Sequence, residues 1–390
     1  MNIITKIFRH HTESHTYKTL NIIAAAIIVA SAIAPCVCAA PLSQSAKGAI
    51  LIEASEGRVI YEYNADERLP MASTTKIMTA LIAVECRELT DKITVKPAAV
   101  GVEGSSVYLK AGEELTMGDL VYALMLESAN DAAAAIAIEI SGSIEAFAEK
   151  MNTRARELHC YNTHFTNPHG LDNEEHYTTA RDLAQITKVA LENETFADIV
   201  STYKHTIPTA TGSGVRLLLN HNRLLRSSDY VIGVKTGFTK RSGRCLVSAA
   251  ERDGVTVIAV TLSDPDDWRD HTAMLSYGLE RYKYVSLAGD GELMYPVSVV
   301  GGDTAFITAV NKYPVNICVP ADSVELRRVV SLQRFYFAPV AAGDVLGDIS
   351  WYNDAGECVR SVPLIAAGSA VKPENKGFFA QIGDFFEQLF

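Results

Sequence analysis

Two periods of apolar and polar residues divide this chain. Residues 49–55 and 58–63 are short β-rich runs joined at Glu56-Gly57, which predicts a hairpin. Leu69-Pro70 ends that pattern, and residues 73–85 then repeat apolar positions at helical spacing. Thr116-Met117-Gly118-Asp119 has the form of a capping box before the apolar run 120–125. The alanine-rich stretch 131–140 predicts another helix, stopped near Ser141-Gly142. Residues 179–192 are amphipathic, with Leu183, Ile186 and Ala190 at helical spacing. A second hairpin is predicted where runs 244–250 and 255–262 flank Arg252-Asp253-Gly254, with a helix over 270–284 after it. Hairpins at both ends with helices between predict an antiparallel sheet covered by helices, an α+β fold.

Beyond residue 287 the pattern changes. Short β-branched runs at 297–300, 306–310, 315–319, 345–351 and 359–365 alternate with Gly, Pro and Asp, which predicts a small all-β C-terminal domain. Farther on, Phe378, Phe379, Ile382, Phe385, Phe386, Leu389 and Phe390 recur at helical spacing, so one face of that segment is apolar and aromatic. Such a segment packs on the protein or lies at a membrane surface, and the membrane surface is the expectation adopted. Asp384 and Glu387 on the polar face weigh against it. At the other end, Lys6, Arg9 and Lys18 precede an apolar run over 20–34 and small residues at Ala39 and Ala40. The run is shorter than the roughly twenty residues of a membrane span and suits a signal peptide cleaved after Ala39; an uncleaved anchor is the alternative. The expected organisation is a signal over 1–39, a catalytic body over 40–287, a β-rich domain over 288–372 and an amphipathic membrane-surface helix over 373–390. The body is then extracytoplasmic.

Composition narrows the function. A net charge of -11 with no basic stripe argues against nucleic-acid binding, which needs phosphate-neutralising charge. Cys36 and Cys38 leave with the signal. Cys86, Cys160, Cys245, Cys318 and Cys358 remain, and no CxxC pair among them suggests a zinc ribbon or redox motif. Most are expected to be small buried apolar residues, with one disulfide left open. Cys160, His164, His169 and His176 match no zinc-ligand spacing, and hydrogen bonding within loops is the expected role. No metal or cofactor is expected.

Three short patterns carry chemistry. In Ser73-Thr74-Thr75-Lys76, residues three apart on a helix share a face, so the lysine amine reaches the serine hydroxyl. An unprotonated lysine can activate that weak nucleophile if burial or nearby cations disfavour its charge. Ser128-Ala129-Asn130 sits at a helix junction, where a hydroxyl and an amide can relay a proton and hold a substrate amide. Lys235-Thr236-Gly237 comes after the apolar run 230–234, which places a lysine and a hydroxyl on a strand that glycine lets a ligand approach. Each pattern is weak alone; about one or two Ser-x-x-Lys matches arise by chance in a chain this size. Their order and context together carry the weight.

With these motifs, Met71–Ala80 (MASTTKIMTA), Gly104-Ser105-Ser106, Asn167-Pro168-His169-Gly170-Leu171 and Lys235-Thr236-Gly237-Phe238-Thr239, the stretch 46–287 resembles the low-molecular-mass D-alanyl-D-alanine carboxypeptidases of the penicillin-binding protein 5 type. The resemblance implies a β-lactamase/transpeptidase-like domain with a small all-β domain after it. It implies that Ser73 attacks the penultimate D-Ala carbonyl, that Lys76 is the base, and that Ser128 and Asn130 serve proton transfer and positioning. Lys235, Thr236 and Thr239 would receive the terminal carboxylate, with Arg269 helping. The N–H groups of Ser73 and Phe238 would form the oxyanion hole. Peptidoglycan stem peptides are the implied substrate and β-lactams the implied inhibitors. Three readings compete: a DD-endopeptidase, a class A-like β-lactamase, and a non-catalytic penicillin-binding sensor. No Glu-x-x-Leu-Asn signature stands between Asn130 and Lys235, which counts against the lactamase. Intact Ser73 and Lys76 count against the sensor.

Overall fold

The computed structural model describes residues 42, 45–210, 214–323 and 325–373. The signal over 1–39 and the amphipathic segment, apart from Pro373, lie outside the described residues. The first hairpin forms as its turn residues require: β1 (Gly48–Glu53) pairs antiparallel with β2 (Arg58–Tyr63). The second joins β3 (Val231–Thr239), β4 (Gly243–Arg252) and β5 (Val255–Leu262) into one antiparallel run. The two meet through β1 and β5, giving a five-stranded sheet in the order β2-β1-β5-β4-β3.

This sheet is covered on both faces, which explains why β1 and β5 read as unbroken apolar runs. Ile50, Ile52, Ala249, Ile258 and Val260 face a helical layer. That layer includes α1 (Lys76–Cys86), α2 (Met117–Leu126), α3 (Asn130–Ser141), α4 (Ile144–Glu157), α5 (Ala180–Leu191) and α6 (Glu194–Ser201). Leu51, Leu246, Val257 and Ala259 face the other way, against Met274, Leu275 and Leu279 of α7 (Asp267–Arg281). Burial of each such side chain contributes about 1.5–3 kcal/mol. The capping box predicted at α2 is present: Asp119 N donates to Thr116 Oγ1 (3.0 Å) and Thr116 N to Asp119 Oδ2 (2.9 Å). Thr179 caps α5 in a similar way, its Oγ1 accepting from Asp182 N (3.0 Å).

The last predicted helix is displaced: α7 begins at Asp267 and ends at Arg281, not over 270–284. Residues 282–284 belong instead to β6 (Tyr282–Ala288), whose aromatic and β-branched residues pair with β9 (Val315–Pro320). A boundary after residue 287 therefore leaves β6 on the catalytic side of the division while its ladder partner lies on the other. The other strands of the C-terminal region are β7 (Met294–Val300), β8 (Phe306–Asn311), β10 (Arg327–Leu332), β11 (Phe335–Phe337), β12 (Val345–Tyr352) and β13 (Cys358–Ala366). They form a six-stranded sheet in the order β10-β12-β13-β8-β7-β11. Its inner face packs Val297, Ile307, Ile349, Trp351 and Leu364 into a separate core. The fold is thus α+β with an all-β C-terminal domain. Among the described residues, no helix is long and apolar enough to cross a membrane. All five cysteines in this region are free, with Cys86 and Cys358 exposed and the other three buried.

Candidate active site

Ser73 stands in a single 3₁₀ turn, Ala72–Thr75, that feeds α1; the α-helix itself starts three residues later than the serine. Both neighbouring threonines turn their hydroxyls into this turn, Thr74 Oγ1 donating to Met71 O (2.6 Å) and Thr75 Oγ1 to Ala72 O (2.7 Å). Thr74 and Thr75 are buried, and the Ser73 side chain is the one left at the cleft. Ala72 has φ +46°, a left-handed conformation that disfavours a residue with a Cβ. Such strain persists where the surroundings over-determine it. Here a loop and a strand do so. A Cβ at Gly170 (φ +89°) would lie 2.0 Å from Ala72 O, and one at Gly237 would lie 3.1 Å from Ser73 N. At 170 only glycine admits this approach, and a side chain at 237 would press on the amides of the serine turn. His176 adds a relay: Thr166 N donates to Nδ1 (3.0 Å), and Nε2 meets Thr75 Oγ1 at 2.8 Å. Because Thr75 Oγ1 already donates to Ala72 O, Nε2 is the donor to it, which fixes the neutral tautomer. Burial, with positive charge nearby, holds the His176 pKa down to about 3.

Lys76 is fully buried, and its Nζ lies 2.9 Å from Ser73 Oγ, 2.7 Å from Asn130 Oδ1 and 2.5 Å from His169 O. The last two partners are acceptors only. In the neutral amine they take the two N–H bonds, and the lone pair is left directed at the serine hydroxyl. Burial, and then the charge of Lys235, push the Lys76 pKa well below its ordinary value, with Asp131 opposing. Geometry and charge thus suit this amine to take a proton from that hydroxyl.

Asn130 opens α3, and its other amide atom, Nδ2, donates to Glu103 O (2.5 Å). The next residue, Asp131, is buried and accepts from Ser106 Oγ (2.6 Å) and Leu109 N (2.9 Å). Those bonds tie the Gly104-Ser105-Ser106 segment to the helix, and Asn130 N completes the tie through Ser105 O (2.7 Å). Ser128 takes φ +58° just before the helix and faces the cleft. On the opposite side, Lys235 is buried in β3, its Nζ donating to Thr236 O (3.0 Å). Burial lowers its pKa to about 7, with Glu127 opposing.

Ser73, Ser128, Thr236, Gly237 and Phe238 line one cleft of about 470 Å³, and Lys76, Asn130 and Lys235 are buried in contact with its walls. Two predicted residues are not brought there. Thr239 Oγ1 donates to the Asp172 carboxylate (2.8 Å) and lies 2.9 Å from the Ser242 hydroxyl. Arg269 is exposed and paired with Asp266 (2.7 Å) and Asp270 (3.0 Å). Arg269 lies in the first turn of α7 and is held there by its two acidic neighbours.

The cleft contains another arginine that sequence reasoning missed. Arg244 lies directly across the β3–β4 ladder from Phe238. Its guanidinium donates to buried Asp267 (2.7 and 3.0 Å) and stacks 5.6 Å from the Trp268 ring centroid, with Arg223 at 5.9 Å. All four line the cleft, together with His221, which faces Glu127 at 3.4 Å. Counting the hairpin register from Lys235 through the turn would have set Arg244 beside Phe238. The pairing to Asp267 joins residues 23 apart and left no local signal.

The four residues with a metal-like appearance have other partners. Cys160 Sγ contacts Asp182 O (3.4 Å), His164 Nδ1 meets Glu175 O (2.5 Å), His169 Nδ1 accepts from Leu171 N (3.3 Å), and His176 is engaged as above. Among the described residues no group of three or more His, Cys, Asp or Glu side chains is gathered to hold a metal.

Comparison with known proteins matches residues 36–266 to the D-alanyl-D-alanine carboxypeptidase model of peptidase family S11, and residues 282–372 to the C-terminal domain of penicillin-binding protein 5. The chain is 34% identical to D-alanyl-D-alanine carboxypeptidase DacF of Bacillus subtilis over 83% of its own length and 86% of that relative. It is 31% identical to DacC of Escherichia coli, over 89% of each. Among solved structures, penicillin-binding protein 5 of Haemophilus influenzae aligns with a TM-score of 0.70 at 26% identity, covering 85% of this chain and 99% of that one. The Streptomyces K15 DD-transpeptidase aligns with a TM-score of 0.58 at 35% identity, over 62% and 99%. A family model that spans more than half of the chain, relatives above 30% identity along most of it, and a Ser-Lys pair in one cleft lead to one conclusion: the chain belongs to the S11 D-alanyl-D-alanine carboxypeptidases, which makes it a serine peptidase.

Proposed function

We propose that this protein removes the terminal D-Ala from peptidoglycan stem pentapeptides through an acyl-enzyme on Ser73. The observation that carries the reading is the buried Lys76 amine, 2.9 Å from Ser73 Oγ, with its other two bonds held by acceptors. Neutral Lys76 takes the Ser73 proton as Oγ bonds to the penultimate carbonyl carbon. The N–H groups of Ser73 and Phe238 stabilise the oxyanion, each worth about 3–4 kcal/mol in such sites. The Ser128 hydroxyl passes the proton from Lys76 to the departing D-Ala nitrogen while Asn130 holds the amine and the substrate amide in place, and water then releases the shortened peptide. A β-lactam acylates the same oxygen.

For the terminal carboxylate, Lys235 and Thr236 are retained from the expectation. Arg244 takes the place given to Arg269, because it is in the cleft wall and oriented by a buried carboxylate. Replacing Arg244 by Ala is expected to raise KM about 10- to 100-fold, the effect of a lost charge-assisted hydrogen bond pair. Arg269→Ala is expected to leave KM unchanged.

Residues 1–39 are read as a secretion signal and residues 373–390 as a membrane-surface segment, so the catalytic body would act outside the cytoplasm. Support comes from the charge and apolar pattern at each end. Labelling with a fluorescent penicillin and mapping the adduct tests the acyl-enzyme; an adduct absent from the Ser73 peptide overturns it. Incubation with a pentapeptide and with a cross-linked dimer separates the carboxypeptidase from the endopeptidase by free D-alanine against loss of dimer.

A further inference from the structure

On the outer face of the six-stranded sheet, the part formed by β7, β8 and β11 is exposed among the described residues. On β7, β8 and β11 the inner residues enter the domain core and the alternate residues point outward, as a period of two requires. Antiparallel sheets with one solvated face ordinarily carry polar residues there. These three strands carry no Asp, Glu, Lys or Arg at all. Their outward side chains include Met294 (67% exposed), Val300 (47%), Phe306 (63%), Phe335 (46%) and Phe337 (69%). The register gathers them. Ser298 is opposite Phe306 on one side and Phe335 on the other, Val300 is opposite Phe337, and Met294 is opposite Val310. Directly opposed side chains share a face, so these form one patch rather than scattered exposures. The Phe335 and Phe337 rings pack edge to face at 5.3 Å.

The chain leaves the described structure at the edge of this patch. Val371 is fastened to the β7–β8 turn: Asp303 N donates to Val371 O (2.9 Å), and Val371 N to Asp303 Oδ1 (2.8 Å). Val300 and Phe306 flank that same turn. Just past this fastening lie residues 374–390, with their stripe of Phe, Ile and Leu at helical spacing.

We propose that the outer face of this sheet is the docking surface for the chain's own residues 374–390, which lie across it whenever lipid does not hold their aromatic stripe. This goes beyond the catalytic reading and does not rest on it. An apolar sheet face and an apolar helix stripe are the two surfaces that layered folds bury against each other. The sizes agree. A helix over 378–390 is about 20 Å long, and a seven-residue strand is about 23 Å long. Residues 374–377 bridge from the fastening point, and so short a tether keeps the segment at millimolar effective concentration. Docked in this way, Asp384 and Glu387 remain on the solvent side. An anionic bilayer is the poorer occupant of the face, since no basic side chain lies on these strands and the chain carries a charge of -11.

The test places a tryptophan in the stripe of the full chain, Phe385→Trp, with the emission of Trp268 and Trp351 subtracted using the unsubstituted chain. In lipid-free buffer the new residue is expected to emit as a solvent-shielded indole. The double variant Phe306→Asp/Phe337→Asp, altered only at exposed positions, is expected to return it to solvent while D-alanine release is unchanged. Solvent-like emission in the lipid-free full chain overturns the proposal. So does shielding that survives the double variant, or shielding that disappears on dilution, which would mean a second copy is the occupant. With phosphatidylglycerol vesicles, the double variant is expected to bind about 3- to 10-fold more tightly, because the competing docked state is removed; equal binding overturns the competition. Sedimentation with vesicles of the full chain against a chain ending at Pro373 tests membrane attachment separately, and its failure leaves the docking result untouched.

Discussion

The catalytic body and the C-terminal domain are held together by different means. Among the described residues, every buried polar or charged side chain except Asn311 and Ser350 lies before Tyr282. The body also contains all the non-glycine residues with positive φ, Ala72 and Ser128 at the cleft among them. Buried polar groups destabilise a fold unless each is paired, and strained backbone persists only when neighbours enforce it. The body therefore accepts both, and compensates through a large apolar core and dense hydrogen bonding. Among its described residues the β domain has no non-glycine residue at positive φ and no buried charged side chain, and it presents an aromatic patch without charged residues on β7, β8 and β11. One region is built to hold a reactive amine, and the other to present a surface. Contact between them includes Arg58 donating to Cys318 O (3.1 Å), Arg360 facing Glu56 at 3.3 Å, and Cys318 buried in one apolar cluster with Leu51 and Val257.

The sharpest way to break this contrast is at the body's buried cation. Lys76→Gln is expected to slow acylation of Ser73 by about 10²- to 10⁴-fold, the contribution of a positioned base. Stopped-flow labelling with a penicillin measures it, and the unfolding of the β domain should not change. If acylation survives within tenfold, Lys76 is not the base.

The converse experiment removes packing from the other region. Ile349 is fully buried in the β-domain core. Ile349→Ala is expected to destabilise that domain by about 2–5 kcal/mol, read by denaturant unfolding, with the acylation rate unchanged. A parallel loss of acylation would show that the two regions are coupled.

Acid should separate the regions more gently. His169, His176 and His271 are buried, and each pKa is held down to about 3, by burial first. Unfolding frees them to take up protons near pH 6.5, so their neutral form stabilises the body fully above that pH. The contribution is lost progressively as pH falls from about 6.5 towards 3. No histidine occurs after His271 in the chain, so the β domain lacks this liability. Calorimetry at pH 7, 5 and 4 is expected to show the body's transition falling ahead of the β domain's. A uniform fall of both would remove histidine protonation as the cause.

Local chemistry was legible where a few neighbouring residues decide the outcome. Glu56-Gly57 and Arg252-Asp253-Gly254 turn the hairpins, Thr116 and Asp119 cap α2, and Ser73 and Lys76 approach because their separation along one turn requires it. The reading failed where a partner is remote or an element is short. The strands Arg327–Leu332 and Phe335–Phe337 carry little pattern of their own and exist through ladder partners. Tyr282-Lys283-Tyr284 continues a helical period yet pairs as a strand, because residues 318–320 offer a ladder. Arg269 looked suited to a carboxylate and turned outward, while Arg244 was drawn into the cleft by Asp267.

From the order of residues alone came the fold class, the serine and its lysine, and the aromatic stripe beyond Pro373. These depend on separations of a few residues, which the backbone's own periods translate into space. Tertiary structure decided which cation reaches the cleft, that the Lys76 charge is suppressed, and that three strands without a charged residue lie beside Val371, near the last described residue. Those are matters of burial and of neighbours distant in the chain, and no local pattern encodes them.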